Sequence, residues 1–437
     1  LLATEPVFRA AMERCAATLD ELLPRPLLRV LYEPTADEAA LVDQTEYTQP
    51  LLVALEWSLV QLWASWGVEP DVVMGHSVGE YAAAIVAGVL ELEDGLRLVA
   101  RRGRLIQALP AGGVMASVQA EAALVDAIVA EHGGGETSVA AYNGPRSVVV
   151  SGSERAVGRV LAALERHGAT ATRLPVSHAF HSPLVEPMLG ELATVLAGVS
   201  LRPARVELVT NVTGRVAGDE VVSPDHWIRH TRAPVQLARG MEELRRRGCD
   251  VFVEIGPQPT LLGLGRACLP ELAHASWVPS LRRNRDDLRV LLHGAGELWA
   301  RGVPVDLHGL DRPHHRRRVE LPAHAWQRQR HFIDWTANES LSAGRPAPSQ
   351  ASGASLVERH TDGPGHGLHF VARLDAERHA YLEDHRVLDR RVVPGAVLAA
   401  TLLGAVEQAV ERGSTALVVE DLLLPQALVL DEPTTLH

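Results

Sequence analysis

The sequence predicts an α/β fold into which a small ferredoxin-like subdomain is inserted. Residues 1–110 and 204–310 alternate helical and strand-like patterns, which is typical of layered α/β architectures. Between them, residues 115–180 follow the order strand, helix, strand, strand, helix, strand. This order is the split βαβ pattern of ferredoxin-like folds. Two stretches of chain therefore build the core, and the subdomain separates them.

Hydrophobic spacing predicts each element of the core. Residues 1–23 and 49–66 carry apolar side chains at helical spacing. After Pro70, the short apolar run DVVM indicates a buried strand, and the small apolar residues Tyr81–Leu90 indicate a helix. Later in the chain, VELVTNVTG and DVFVEIG read as further strands. Strand, tight turn and helix thus follow one another closely around residue 77.

The composition is that of a large, folded, acidic protein. The chain has 437 residues, 46% of them hydrophobic and 22% charged, which excludes wholesale disorder and allows two or three domains. The net charge of −12 argues against nucleic-acid binding. All 42 basic residues are arginine, so no lysine is available for a Schiff base or a Walker-type phosphate site.

The cysteines and the apolar runs indicate a cytoplasmic protein. Cys15, Cys249 and Cys268 are far apart, which argues against a disulfide framework or a thiolate metal site. No apolar run reaches the length of a membrane helix, and no metal-ligand spacing stands out. The chain begins within a helical pattern and stops without a closing element, so we expect an internal piece of a longer polypeptide.

The turn after the first strand has the pattern of a nucleophile elbow. Gly75–Gly79 fits G-x-S-x-G and lies between a predicted strand and a predicted helix. This context predicts an α/β-hydrolase-like core with Ser77 exposed at a helix N-terminus, where N–H groups favour a developing anion. Flanking glycines are expected because the turn leaves no room for side chains. The alternative is a glycine-rich turn with a capping serine.

A serine nucleophile needs a neighbouring base, and 20 histidines are available. His76 adjoins Ser77 in sequence, but neighbours in a sharp turn usually point in different directions. We favour the segment Ser177–Pro183, which leaves the subdomain where a cleft between lobes would lie. The alternative for any of these histidines is a packed or solvent-facing imidazole.

Five segments together resemble the acyltransferase domain of type I modular polyketide synthases. In chain order they are GHSVGE, HAFHSP, NVTG, PVQ and EIGPQP. The resemblance covers residues 1–285, with the subdomain at about 115–180, and residues 286–335 resemble the linker that follows such domains. The family's opening strand and glycine loop, which supply one oxyanion donor, would precede Leu1.

The resemblance implies a Ser–His dyad. Ser77 matches the nucleophile and His181 its general base. Gln236 matches the residue whose backbone carbonyl orients that histidine. The backbone N–H of Val78 would be one oxyanion donor, its usual place after the nucleophile.

The same resemblance assigns the substrate pocket. Arg102 matches the arginine that binds the free carboxylate of a malonyl group, and a planar guanidinium suits two parallel hydrogen bonds. Arg101 and Arg104 are rivals, and without the family match all three would form a solvated helix face. His76 and Asn143 match polar positions near the pocket.

Three features of the resemblance favour malonyl over methylmalonyl. Phe180 would fill the space that a 2-methyl branch needs, and Val78 stands where methylmalonyl enzymes often carry glutamine. Gln44–Gln49 resembles the malonyl version of its segment. A single methyl group discriminates only about 10–200-fold, so methylmalonyl selectivity stays an alternative.

The C-terminal part resembles another domain. Residues 336–365 are rich in Ser, Ala, Gly and Pro, which predicts a flexible linker. From His385, HRVLDRRVVP resembles the HxxxGxxxxP motif of a polyketide dehydratase, a double hotdog fold. Residues 366–437 would be its N-terminal part, with His385 as catalytic base and Asp389 where glycine is usual. The alternative is a helix-capping histidine in an unrelated domain.

The sequence therefore predicts a malonyl-CoA:acyl-carrier-protein transacylase with ping-pong kinetics. The resemblance implies no cofactor in the acyltransferase, because the phosphopantetheine arm belongs to the carrier protein. The expected partners are malonyl-CoA, the carrier protein, and a ketosynthase and dehydratase of the same polypeptide, without nucleic acid or membrane. Two rivals stay open: a serine hydrolase on the same elbow, and a scaffold whose acyltransferase is supplied in trans.

Overall fold

A computed structural model describes residues 1–314, 319–327, 356–360, 369–409 and 421–437. The chain divides into two units, Leu1–Glu320 and Leu321–His437. Of the predicted linker 336–365, only 356–360 lie within the described residues. In the described part of the chain, no helix has the length and apolar character to cross a membrane.

The first unit is rich in helices. They are α1 Pro6–Leu19, α2 Leu27–Tyr32, α3 Thr45–Ser65, α4 Gly79–Ala87, α5 Leu92–Gln107, α6 Ala122–His132, α7 Glu154–Arg166, α8 Leu189–Leu196, α9 Pro224–Arg232, α10 Leu237–Arg246, α11 Thr260–Cys268, α12 Asp287–Ala300 and α13 Leu307–Asp311. Apolar spacing predicts α1, α3, α4 and the two helices of the subdomain, α6 and α7.

Parallel strand pairs form the centre of the α/β core. β1 Val72–Met74 pairs with β6 Glu207–Val209, and β7 Val251–Glu254 pairs with β8 Ser276–Pro279. Helices α1, α3, α4 and α5 bury a large apolar cluster that includes Trp63. Burial of such aromatic side chains contributes much of the stability of a core. The strands predicted within DVVM, VELVTNVTG and DVFVEIG are confirmed.

A cavity of about 820 Å³ lies between β1 and β7. Both strands line it, together with Glu56 and Trp63 of α3. The two parallel pairs belong to separate sheets, with this space between them. The lining includes Gly75 and His76 but not Ser77 or Arg102, so the cavity lies beside the nucleophile turn rather than at the serine hydroxyl.

The inserted subdomain has the predicted ferredoxin-like topology. Its strands pair antiparallel in the order β3-β4-β2-β5, and α6 and α7 pack on the sheet. Buried valines of β2 and β4 contact buried residues of both helices, so the helices cover one face of the sheet and exclude water from it. The strands are β2 Gly113–Gln119, β3 Thr137–Gly144, β4 Ser147–Ser153 and β5 Thr170–Arg173.

Strand β3 also ties the subdomain to the core. Tyr142 N–H donates to Val235 O at 2.8 Å, and Val235 N–H donates to Ala140 O at 2.9 Å. A parallel bridge thus joins Ala141 to Val235. This bridge fixes the chain just before α10 against the subdomain, which matters for the site described below.

The described residues of the second unit include a three-stranded antiparallel sheet and a long helix. β10 His369–Leu374 lies between β9 Val357–His360 and β13 Thr434–Leu436. Helix α14 spans Gly395–Ala409, and Leu374, Leu382, Val393 and Leu430 form a buried cluster.

The predicted dehydratase motif lies on a tight hairpin of this unit. β11 Arg386–Val387 pairs with β12 Arg390–Arg391, and both turn residues, Leu388 and Asp389, have positive φ, 49° and 61°. Such a two-residue turn favours glycine, asparagine or aspartate, which explains why Asp389 is compatible with a position where glycine is usual. His385 is exposed, and its Nδ1 lies 2.7 Å from Val392 O.

Two glycines of the subdomain give a matched test of this packing. A Cβ on Gly152 would lie 2.2 Å from Glu136 O of the chain leading into β3, whereas a Cβ on Gly158 of α7 meets nothing within 4 Å. We expect Gly152→Ala to lower the free energy of unfolding by about 1–3 kcal/mol. Gly158→Ala should raise it by about 1 kcal/mol. Hydrogen exchange of the β3 and β4 amides measures both, and shifts in the same direction would contradict the packing described.

Candidate active site

The nucleophile turn joins β1 directly to α4. A Cβ on Gly75 would lie 2.2 Å from Glu80 N, so only glycine fits there. A Cβ on Gly79 would meet the Glu56 carboxylate, with Oε2 at 3.6 Å and Oε1 at 3.8 Å, and both are ordinary contacts. The expectation that both glycines are required by lack of space is therefore correct for Gly75 and wrong for Gly79. Ser77 itself has φ of 51°, a left-handed conformation that non-glycine residues rarely adopt.

Ser77 and His181 are in direct contact. Ser77 Oγ lies 2.7 Å from His181 Nε2, and His181 Nδ1 lies 2.8 Å from Ala233 O. Because a carbonyl only accepts, Nδ1 carries the proton and donates it to Ala233 O. Nε2 is then free to accept the hydrogen bond of the Ser77 hydroxyl, which is the arrangement a general base requires.

The carbonyl that orients His181 is not that of Gln236, so this prediction is wrong. It belongs to Ala233, which precedes the segment bridged to β3. The hydrogen bond from Val235 N–H to Ala140 O directs the chain so that the carbonyl of Ala233, and not that of Gln236, lies against the imidazole of His181. Gln236 N–H instead donates to Asn211 O at 2.9 Å, just before α10 begins.

The subdomain also holds the backbone of the histidine. Ser138 of β3 donates from Oγ to His181 O at 2.8 Å. His181 has φ of 56°, so it too occupies the left-handed region. Ser182 Oγ, which is buried, donates to Ala179 O at 2.7 Å and closes the turn on the other side.

Burial determines the charge of the imidazole. Loss of solvent, followed by the positive charge of Arg102, lowers the pKa of His181 to about 3. The ring is therefore neutral near pH 7. Because this folded pKa lies below the ordinary value, the resulting stability is present above about pH 6.5 and is lost as the pH falls towards 3.

Arg102 is a buried cation whose partners are neutral. It is 2% exposed, donates from Nη1 to Gln49 Oε1, and lies over the Tyr81 ring at 5.6 Å. Gln49 is oriented by a hydrogen bond from its Nε2 to Thr45 Oγ1 at 2.6 Å. Arg102 Nε is buried without a hydrogen-bond partner.

No carboxylate of the described ranges forms an ion pair with Arg102, which leaves the guanidinium able to receive an anionic ligand. The rival arginines differ from it, because Arg101 and Arg104 are exposed. Of these three arginines of α5, the buried one is Arg102, which is the one that the family resemblance indicates.

The remaining predicted residues surround the dyad. His76 Nε2 lies 2.8 Å from Asn143 Oδ1, and burial lowers the pKa of His76. Phe180 is half-buried and packs against the large apolar cluster of the core and against a second cluster that includes Val235 and Met241. Val78 precedes the first residue of α4, and within the described hydrogen bonds its N–H has no acceptor.

Sequence reasoning missed a buried polar network beneath the turn. Ser77 N–H donates to Asn211 Oδ1 at 2.7 Å, and Asn211 Nδ2 donates to Gly75 O at 2.9 Å. Asn211 N–H donates in turn to Glu80 Oε2 at 2.6 Å. Both Glu80 and Asn211 lie in motifs used for the family resemblance, which was the available signal, but nothing in the spacing indicated their contact.

Comparison with known proteins decides the family. The sequence pattern of the acyl transferase domain matches residues 1–304. The chain belongs to the acyltransferase domain family. The pattern of the polyketide synthase dehydratase domain matches residues 355–437, so an N-terminal dehydratase fragment follows the acyltransferase. Within the described ranges, no three His, Cys, Asp or Glu side chains are arranged to hold a metal ion.

Similar proteins are polyketide synthases and their acyltransferase domains. Polyketide synthase GfsA of Streptomyces halstedii is 41% identical over 430 residues, which are 98% of this chain but 6% of that protein. The acyltransferase domain from the second module of the salinomycin polyketide synthase is 40% identical with a TM-score of 0.68, covering 74% of each chain. The acyltransferase domain of SpnD, solved with 2-(pent-4-yn-1-yl)malonyl, is 36% identical with a TM-score of 0.63, covering 68% of this chain and 71% of that one.

The depressed histidine pKa of this acyltransferase predicts an unusual pH dependence. Because His181 stays neutral well below the ordinary histidine pKa, we expect modification of Ser77 by a fluorophosphonate to show no inflection between about pH 5.5 and pH 8. The measurement is the rate of adduct formation by mass spectrometry, with Ser77→Ala as the blank. A fall centred near pH 6.5 would contradict a desolvated imidazole.

Proposed function

We propose that the acyltransferase loads a malonyl unit from malonyl-CoA onto Ser77 and passes it to the phosphopantetheine thiol of an acyl carrier protein. The observation that carries this proposal is the buried Arg102, whose positive charge acts on His181 and whose hydrogen-bond and ring contacts within the described residues are all neutral. A buried cation without a counterion favours a substrate that brings its own carboxylate.

The dyad accounts for the first half-reaction. His181 Nε2 takes the proton of the Ser77 hydroxyl as Oγ attacks the thioester carbonyl. The tetrahedral oxyanion that forms can accept a hydrogen bond from the Val78 N–H at the start of α4. When it collapses, the C–S bond breaks, CoA leaves with the proton held by His181, and the malonyl group remains on Ser77 as an ester.

The second half-reaction reverses these roles with a different thiol. His181 takes the proton of the phosphopantetheine thiol, and the sulfur attacks the seryl ester. Collapse of the second intermediate breaks the ester bond and returns the proton to Ser77 Oγ. No cofactor enters these steps other than the arm carried by the partner protein. A ping-pong rate law follows, because CoA leaves before the carrier protein reacts.

Two alternatives to this function are a serine hydrolase that uses the same dyad and a scaffold without activity. A serine hydrolase would employ water as acceptor, but such an enzyme has no reason to bury an arginine near its base. A scaffold without activity is disfavoured because Ser77, His181 and Ala233 are already in hydrogen-bonding contact. The arrangement therefore supports transfer of a carboxylated acyl group over both.

The extender preference belongs to the same proposal. Phe180 adjoins His181 in sequence and packs against two apolar clusters, and we infer that its ring leaves less room for a 2-methyl branch. The similar SpnD domain was solved with a substituted malonyl, which supports a malonyl-type acid as the substrate class. We favour unsubstituted malonyl, with methylmalonyl as the competing extender.

In the second unit, we propose His385 as the catalytic base of the dehydratase fragment. If Nδ1–H donates to Val392 O, at 2.7 Å, the exposed ring presents Nε2 as the acceptor.

Competition between acyl donors tests the transacylase directly. Offered equal malonyl-, methylmalonyl- and acetyl-CoA, the wild type should accumulate a malonyl adduct that Ser77→Ala lacks. Arg102→Ala should reduce malonyl loading by about 10–100-fold while acetyl loading is retained, because only the carboxylate contact is lost. Exposed Arg101→Ala is the matched control and should load as the wild type does. Intact-protein mass spectrometry measures the adducts, and equal loss of malonyl and acetyl in Arg102→Ala would contradict the assignment.

Substitution of Phe180 tests the extender preference. We expect Phe180→Ser to lower the malonyl-to-methylmalonyl loading ratio by about tenfold or more, since the ring is replaced by a small side chain. Phe180→Leu keeps most of the bulk and should change the ratio little. The ratio comes from the same competition experiment. A wild type that prefers methylmalonyl would contradict the Phe180 argument and leave the transacylase proposal standing.

A further inference from the structure

Beneath the nucleophile turn lies a buried polar cluster to which the dyad mechanism gives no role. Glu80, the last residue of GHSVGE, has no exposed surface and lies on the first turn of α4. His226 and His230 of α9 approach its carboxylate, with Nε2–Oε distances of 3.5 Å and 3.4 Å. Among the described residues, none of the four ring nitrogens of these histidines has a partner at good hydrogen-bond geometry, nor does Glu80 Oε1, and His230 also faces the backbone of Ser77. A buried carboxylate is costly, so its retention calls for a specific contact.

That contact is the backbone of Asn211. Asn211 N–H donates to Glu80 Oε2 at 2.6 Å, the one close hydrogen bond that this carboxylate makes among the described residues. Asn211 lies in the turn two residues after β6, where the chain has left the parallel pair with β1. Glu80 thus determines where the Asn211 residue sits relative to the turn.

The Asn211 side chain forms hydrogen bonds with the nucleophile turn on both sides of His76. Its Oδ1 accepts from Ser77 N–H at 2.7 Å, and its Nδ2 donates to Gly75 O at 2.9 Å. Ser77 has φ of 51°, which an L-residue adopts only when its surroundings impose it. The two side-chain hydrogen bonds supply that constraint from a turn that is distant in sequence.

We propose that Glu80 is a positioning residue that acts through Asn211 to hold Ser77 in its reactive conformation. Glu80 contacts neither the hydroxyl of Ser77 nor the imidazole of His181. It fixes Asn211, Asn211 fixes the backbone of Ser77, and that backbone directs Oγ towards His181 Nε2. A misplacement of about 1 Å at a nucleophile can reduce a rate by about 100-fold, so an indirect residue has a large effect.

The role depends on hydrogen-bond acceptance at Oε2 rather than on negative charge. Burial raises the pKa of Glu80, and the groups that face it are the two histidines of α9 and the Asn211 amide. Glutamine keeps an acceptor oxygen at the same reach, whereas alanine removes it. This difference separates positioning from a charge effect.

The test rests on Ser77 as the nucleophile of the proposed function, and its probe is independent of the acyl donor. A fluorophosphonate reports on Ser77 reactivity alone, and malonyl-CoA reports on the full loading step. If the proposed function fails, wild type reacts with the probe but not with malonyl-CoA. In both assays we expect Glu80→Ala to lower the first-order rate by about 10–100-fold without raising the KM for malonyl-CoA. Glu80→Gln should stay close to the wild-type rate.

A stability control distinguishes positioning from general damage. Leu291→Ala removes buried volume from α12, outside the subdomain and the turn, and should destabilise the fold while the probe rate stays at the wild-type level. Asn211→Ala should slow the probe as much as Glu80→Ala, and the double variant should be no slower than either, because both act on one contact. If Glu80→Ala does not fold, Asn211→Ala and Glu80→Gln decide the question.

Three results would overturn the proposal. The first is a wild-type probe rate in either alanine variant. The second is a loss in Glu80→Gln as large as that in Glu80→Ala, which would assign the effect to charge. The third is additive losses in the double variant, which would show that Glu80 does not act through Asn211.

Discussion

The hydrogen bond from His181 Nδ1 to Ala233 O is the interaction on which the site depends. It fixes the tautomer of the imidazole and aims Nε2 at Ser77, so a neutral carbonyl does what a carboxylate does in a Ser-His-Asp triad. The carbonyl is itself placed by tertiary structure, because Val235 pairs with β3 of the subdomain. The inserted subdomain is therefore part of the catalytic framework.

Burial gives two opposite results within the same site. At His181 it favours the neutral ring, with a pKa of about 3, which suits a base. At Arg102 it isolates a cation whose partners are the Gln49 carbonyl oxygen and the Tyr81 ring, and this suits a group that binds an incoming carboxylate. Proton transfer and substrate selection are thus assigned to different residues by the same loss of solvent.

Local signals predicted what is local, and failed where contacts are long-range. The strand, turn and helix around Ser77 and the βαββαβ order could be derived from spacing, because each element lies within a short stretch of chain. The motif predicts Gln236 as the source of the orienting carbonyl, whereas the structure has Ala233 there, because the bridge to β3 decides which carbonyl faces the imidazole. Glu80 and Asn211 were missed for the same reason, because buried polar contacts between distant segments leave no periodic pattern.

Both reacting residues stand in backbone conformations that L-amino acids avoid. Ser77 and His181 have φ of 51° and 56°, and such a residue costs the folded state on the order of 1–3 kcal/mol. Native proteins have only about 5–15 kcal/mol of net stability, so the strain at these two residues is a sizeable fraction of the free energy of unfolding. Selection for stability alone would replace both residues with glycine. The serine and the histidine at these two positions therefore serve the chemistry at the expense of stability, and glycine at either position would relieve the strain while it removed a reacting group.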